Sequence, residues 1–323
     1  MRCGWAPLGL PPAKGLAVPR GAEGLVAGQL HDPNLRPPAL DKLVEALRPD
    51  GQLLQPKVST QVIGAFGRQR RWAESLALLE ELQSGRVALD VILYTAAISA
   101  CARAEQWQNA LGLFAALRAQ DLEPNVMTCT ALVTACRSGQ WQRALDVLGE
   151  AGRCSVRPNA VTYNAALHAC KDGAWRPACA ILEKMSEESL EADVVMYSTA
   201  MGSCSKCGEW ERVLQLMRGM REESLRADVV TYNVAIGACD GSGSWRLALG
   251  LLADLQARRL VANVKTYGAV ISSCEKGQEW PWALHLLAKM RSESVEPNVI
   301  TCSAAISACE KGAQWRRALS LPG

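Results

Sequence analysis

Apolar residues along this chain recur in two alternating stripes, each at helical spacing. Between Ala160 and Asp193, the positions Val161, Tyr163, Ala166, Leu167 and Cys170 predict a first helix with one apolar face. Lys171-Asp-Gly-Ala interrupts it, and Gly173 suits the left-handed residue that ends a helix. A second stripe, Ala178, Ile181, Leu182 and Met185, follows Trp175 and predicts a second helix. It fades into polar Ser186-Glu-Glu-Ser, a solvated helix end, and closes on Ala192-Asp193. In three other stretches the closing pair is Pro-Asn, at Pro124, Pro158 and Pro297, where proline is expected to stop the second helix and fix the turn. Pro177 and Pro281 fall in the first turn of second helices, where no intrahelical N–H is lost.

The same hairpin returns along most of the chain. Trp72, Trp107, Trp141, Trp175, Trp210, Trp245, Trp280 and Trp315 are 34 or 35 residues apart. Cys101, Cys136, Cys170, Cys204, Cys239, Cys274 and Cys309 keep the same step, and Tyr94, Tyr163, Tyr197, Tyr232 and Tyr267 keep a third. Complete repeats run 56–90, 91–125, 126–159, 160–193, 194–228, 229–263 and 264–298, and a partial eighth covers 299–323. A single hairpin cannot bury both stripes, so neighbours must stack. The expected fold is therefore all-α, an α-solenoid superhelix of tandem helix-turn-helix repeats. The run from Ala39 to Pro49 resembles the second half of a repeat, so 39–55 is either a degenerate half-repeat acting as an N-terminal cap or an unrelated amphipathic helix. Residues 1–38 are rich in Pro and Gly, carry Arg2, Lys14 and Arg20 before any acidic residue, and lack Ser and Thr. They read as a disordered or a targeting leader.

Composition changes this picture little. The 10 Trp, against 5 Tyr and 2 Phe, are largely one hairpin position copied, and packing is their expected role rather than base stacking. The 13 Cys follow no secretory signal and read as reduced, small buried residues. Cys204 and Cys207 have a CxxC spacing, but one such pair without converging ligands makes no metal site. His168 reads as an ordinary, partly exposed residue. A net charge of +3 is too small to argue for nucleic acid by itself. No apolar run is long enough to span a bilayer. There is no phosphate loop, zinc-protease motif or nucleophile elbow, so neither enzyme activity, metal nor cofactor is expected.

Thr162-Tyr-Asn-Ala-Ala-Leu-His-Ala-Cys, Thr231-Tyr-Asn-Val-Ala-Ile-Gly-Ala-Cys and Thr301-Cys-Ser-Ala-Ala-Ile-Ser-Ala-Cys, each followed by Trp, Ala and Leu, resemble the pentatricopeptide repeat. The resemblance covers 56–323 and is to a pure P-type array. It implies single-stranded RNA binding, one base per repeat. The fifth and last residues of each repeat would select the base: Thr60 with Asp90, Thr95 with Asn125, Thr130 with Asn159, Asn164 with Asp193, Ser198 with Asp228, and Asn233 with Asn263. Gly268 with Asn298 has no side chain to read with. By the family's pairing these positions look like 5′-GAAUG-pyrimidine-3′. Second-position residues would sandwich the base, and Ile92, Met127, Val161, Val195, Val230 and Ile300 fit, whereas Lys57 and Lys265 depart.

A basic row, Arg68, Arg103, Arg137, Lys171, Lys206, Lys276 and Lys311, follows the first helices. It would track phosphates, or it reflects the preference of cations for helix C-termini. The resemblance further implies a chloroplast or mitochondrial protein serving RNA processing, stability or translation. It would act as a monomer by occupying a transcript or by recruiting protein processing factors. A helical scaffold for proteins and the targeting arm of a larger RNA-processing enzyme are the alternatives.

Overall fold

The computed structural model describes residue 30 and residues 36–49, 52–85, 87, 89–137 and 139–314. Most of the expected leader, the second helix of the eighth repeat and Trp315 lie outside these residues. Among the described residues there are sixteen α-helices and no strand. Helix α1 (Pro37–Leu47) and a 3-10 turn (Gln52–Leu54) precede the hairpins. First helices are α2 (Pro56–Arg68), α4 (Val91–Arg103), α6 (Val126–Ala135), α8 (Ala160–Ala169), α10 (Val194–Lys206), α12 (Val229–Ser242), α14 (Val264–Lys276) and α16 (Val299–Lys311). Second helices are α3 (Trp72–Ser84), α5 (Trp107–Ala119), α7 (Trp141–Arg153), α9 (Trp175–Glu187), α11 (Trp210–Glu222), α13 (Trp245–Ala257) and α15 (Trp280–Ser292).

The chain divides into two compact bodies, Met1–Ala135 and Cys136–Gly323. In the N-terminal body α2, α4 and α6 stack on one another, with α3 and α5 against them. Asp41 of α1 pairs with Arg71 at 2.7 Å, and Arg48 pairs with Glu81 at 3.0 Å. In the C-terminal body α8, α10, α12, α14 and α16 stack in order. Each second helix there packs on its own first helix or the next one, so every apolar stripe is shared between neighbours.

The repeated residues form this core. All seven cysteines of the series are buried. Burial pushes the thiols of Cys101, Cys136, Cys170, Cys239 and Cys274 up to about 11, so they pack as neutral groups at neutral pH. The tyrosines are buried too, and the hydroxyls of all but Tyr94, which accepts from Gln120, reach acidic groups at the ends of second helices. Tyr163 donates to Glu188 at 2.9 Å, Tyr197 to Glu223 at 2.8 Å and Tyr232 to Asp254 at 2.6 Å. The acidic ends expected to be merely solvated are therefore partly acceptors for buried phenols. Burial first, then these carboxylates, raises the three phenols above their ordinary range.

Two expectations about local structure need correction. The second helices end before the Pro-Asn pairs, at Ala119, Arg153 and Ser292. The stop is made by a left-handed residue, Asp121, Ser155 or Ser294, and a backbone bond closes round it, as from Val156 N–H to Ala151 C=O at 2.9 Å. The tryptophans do more than span their own hairpins. The Trp245 ring lies against Gly277, and the Trp280 ring against Gly312, each in the following repeat.

The turn between the two helices of a hairpin also needs a left-handed residue, two places before each Trp. Gly139, Gly173, Gly208 and Gly243 supply it without strain, whereas Arg70, Glu105, Gln278 and Ala313 adopt it with a Cβ. Gln278, at φ 57°, therefore carries a steric cost of about 1 kcal/mol that glycine lacks. Gln278→Gly is expected to stabilise the protein by about 1 kcal/mol. Gly208→Ala, where the new Cβ meets no atom, is expected to destabilise it by the same amount. Urea titrations of both variants check the pair of signs.

Candidate nucleic-acid interface

The last residue of each repeat is the N-cap of the next first helix. Its side-chain oxygen accepts the backbone N–H three residues on. Asp90 accepts from Leu93 at 2.8 Å, Asn125 from Thr128 at 2.9 Å, and Asn159 from Thr162 at 3.0 Å. Asp193 accepts from Met196, Asp228 from Thr231, Asn263 from Thr266 and Asn298 from Thr301 in the same way. Asp and Asn at this position are thus required by helix capping alone, a role the repeat pattern concealed. Capping occupies Oδ1. The other oxygen of each Asp and the amide nitrogen of each Asn are not used by that bond, and all but Asp90 are well exposed.

The second residue stands at the same helix end. Ile92, Met127, Val161, Val195, Val230 and Ile300 are apolar, yet between 54% and 72% exposed. An exposed apolar side chain repeated in one register is a surface that awaits a flat apolar partner. The fifth residue lies three positions further along the same helix, hence on the same side. Thr60, Thr95, Thr130, Asn164, Ser198 and Asn233 are all half-buried there. Thr60, Thr95 and Thr130 bond the carbonyl four residues back, at 2.7 or 2.8 Å.

Three of the fifth-and-last pairs are joined through a buried third-position threonine. Thr128 Oγ1 lies 2.7 Å from Thr95 Oγ1 and 3.0 Å from Asn125 Oδ1. Thr231 Oγ1 lies 2.9 Å from Ser198 Oγ and 2.8 Å from Asp228 Oδ1. Thr266 Oγ1 lies 2.6 Å from Asn233 Oδ1 and 3.1 Å from Asn263 Oδ1. Met196 stands at the equivalent place beside Asn164, whose Oδ1 is buried without a hydrogen-bond partner. Leu93 stands there for Thr60 and Asp90. Gly268 leaves Thr301 in bare contact, since a Cβ built at Gly268 would meet Thr301 Cγ2 at 3.4 Å. These threonines were not among the residues the sequence singled out. Their signal was the recurrent Thr at the third position of the first-helix motif, before Tyr232 and Tyr267 and before Cys129.

The basic row is divided. Lys206 pairs with Asp172 at 2.9 Å, Lys276 with Asp240 at 3.1 Å and Lys311 with Glu275 at 2.9 Å, each reaching back one repeat. Arg68 bonds the Leu30 carbonyl. Arg103, Arg137 and Lys171 are exposed and form no ion pair among the described residues. Burial, reinforced by Arg137 and Lys171, lowers the half-buried His168 below its ordinary value, so it is neutral at pH 7. Cys207 is exposed and donates to the Gly173 carbonyl, while Cys204 is buried against Cys179, so the CxxC pair does not converge. No group of three metal-ligating side chains occurs among the described residues, and no described helix is long and apolar enough to cross a membrane.

Comparison with known proteins places this architecture. The pentatricopeptide repeat domain model matches residues 112–172 and 250–311, and two further models of the same repeat match 192–240 and 92–121. No curated protein matches the chain in sequence. Among solved structures, the pentatricopeptide repeat protein PPR10 from maize superposes with a TM-score of 0.59 at 17% identity, covering 92% of this chain and 47% of that one. PPR10 in complex with an 18-nt psaJ RNA element gives 0.51 at 16% identity, over 92% of this chain and 49% of that one. The chain spans about half the length of these solved relatives. With matches over more than half its residues and the helical-hairpin fold in common, the chain belongs to the pentatricopeptide repeat family.

Proposed function

We propose that the chain binds single-stranded RNA, one base per repeat. The observation that carries this reading is the register of three features at the start of the first helices α6, α8, α10 and α12. An exposed apolar residue, a half-buried polar residue and an exposed capping amide or carboxylate recur together. A base offers one apolar face and one hydrogen-bonding edge, and this trio offers a match to both. Membership of the family and likeness to an RNA-bound relative support the same reading.

In this reading residues 56–323 are a pure P-type array with the repeat boundaries given above, 39–55 is its cap and 1–38 its leader. The bases read are 5′-GAAUG-pyrimidine-3′. The protein acts as a monomer in a chloroplast or mitochondrion on RNA processing, stability or translation, by occupying the transcript or recruiting processing factors. Arg103, Arg137 and Lys171 are the cations open to phosphate. Lys206 reaches it by exchanging Asp172, because an ion pair between exposed groups is weak in water, and Lys276 and Lys311 follow by releasing the half-buried Asp240 and Glu275.

Selection from a random RNA pool on the purified chain, followed by titration of the expected hexamer and a scrambled one, tests this. The expected hexamer should bind at least tenfold more tightly, since one mismatched base costs about 1–3 kcal/mol. Equal affinity for the two would overturn the base assignment, and absence of RNA binding would overturn the function.

A further inference from the structure

We infer that the buried third-position threonines, Thr128, Thr231 and Thr266, are positioning residues. Each relays the identity of the last residue of the preceding repeat to the fifth, and so decides whether that fifth side chain faces the base as a donor or as an acceptor. The inference rests on the RNA reading above. It answers a difficulty that reading leaves: Oδ1 of the last residue is already held by the helix it caps, yet Asp and Asn there are meant to read different bases.

A threonine hydroxyl has one proton. At Asp228 a carboxylate takes it, and Thr231 donates to Oδ1 at 2.8 Å. Ser198, 2.9 Å away, must then donate to Thr231, which leaves the serine only lone pairs to present. No bond runs from Ser198 to a carbonyl of its own helix among its described contacts, unlike Thr60, Thr95 and Thr130. At Asn263 the arrangement reverses. The backbone N–H of Asn263 donates to Thr266 Oγ1 at 3.1 Å, the uncharged amide Oδ1 of Asn263 lies 3.1 Å from that hydroxyl, and the one threonine proton goes to the nearer acceptor, Asn233 Oδ1, 2.6 Å away. With its oxygen engaged inward, Asn233 presents its amide protons. Beside Asn125 the same logic holds. Thr95 directs its proton to the Val91 carbonyl at 2.7 Å, so Thr128 is the donor between the two hydroxyls. Thr95 thereby keeps a proton that a base acceptor can draw away from the carbonyl.

The result matches the bases assigned to these repeats. Guanine offers N–H donors on its pairing edge and calls for the acceptor that Ser198 presents. Adenine offers a ring-nitrogen acceptor and calls for the donor that Thr95 keeps. The fourth repeat shows the relay removed. Met196 replaces the threonine, and Asn164 Oδ1 is buried with no donor to orient it.

A double-mutant cycle on the full chain separates this inference from the RNA reading. Asp228→Asn is expected to move the preference at the fifth-repeat base from G toward A by about tenfold, within the range of a single good base contact. In the Thr231→Val background the same change should move it less than twofold, whereas Thr231→Ser should restore the switch. Met196→Thr should sharpen discrimination at the fourth-repeat base alone. A merely structural threonine would alter affinity for all bases alike. Melting temperatures of the variants identify any that fail to fold, and Met196→Thr gives a gain that misfolding cannot mimic. If Asp228→Asn switches the base equally with and without the Thr231 hydroxyl, the relay is wrong and the RNA reading stands. If the unmodified chain selects no RNA, it is the RNA reading that fails.

Discussion

Replacing Val161, Val195 and Val230 together with serine is expected to weaken binding of single-stranded RNA about 100-fold and to leave the melting temperature nearly unchanged. These three side chains are more than half exposed in the free protein, so the fold gains little from them. Surface changes of this kind usually alter stability by no more than about 0.5 kcal/mol. A base stacked against such a valine would remove roughly 40 Å² of apolar surface from water, or about 1 kcal/mol at 25 cal/mol per Å². Three sites give about 3 kcal/mol, which is about 100-fold in affinity. No charge changes, so the salt dependence of binding should keep its slope. Fluorescence anisotropy at several salt concentrations reads both quantities. A loss below fivefold would show that the apolar register is not where bases sit.

The fold and the candidate site were legible to different depths. Hairpins and the buried Cys and Tyr series follow from period alone, because a residue that must pack identically in every repeat recurs at the repeat spacing. Contacts between repeats were less visible, since they join residues about 33 positions apart that no single helix pattern relates. Thr95 with Thr128 and Lys206 with Asp172 are of this kind. The helix stops were misplaced because Pro-Asn is a conspicuous signal, whereas a left-handed Ser155 or Asp121 leaves no trace in composition. The positions proposed to select bases show a further limit. Asp193 and Asn263 satisfy a helix-capping rule with the residue type that the proposed RNA-reading pattern also asks for, so residue type cannot separate the two. The geometry at Thr231 and Thr266 adds what residue type leaves out, a hydroxyl that joins each cap to the fifth residue of the repeat it closes.

Gly277→Ala is expected to destabilise the protein by about 1–3 kcal/mol, the usual cost of overpacking, although local helix preference argues the other way. Gly277 ends α14 with φ −77°, a conformation any residue adopts, and alanine is favoured over glycine near a helix by up to about 1 kcal/mol. What forbids it is the neighbour. A Cβ there would lie 2.2 Å from Trp245 Cδ1 and 3.0 Å from Cγ and Nε1. An indole ring is rigid, and Arg246 stacks over it at 4.3 Å, so it cannot yield as the end of a flexible chain would. The contact joins two repeats, and its loss falls on the inter-repeat term that holds a stacked array together. Gly312→Ala should behave alike, because its Cβ would approach Trp280 Cδ1 to the same 2.2 Å. Gly237→Ala, within α12 and with no atom inside 4 Å of the new Cβ, is the control and should stabilise by about 0.5–1 kcal/mol. Opposite signs in chemical denaturation, for one and the same substitution, would establish that the copied tryptophan is a spacer between repeats. Stabilisation by Gly277→Ala would refute it.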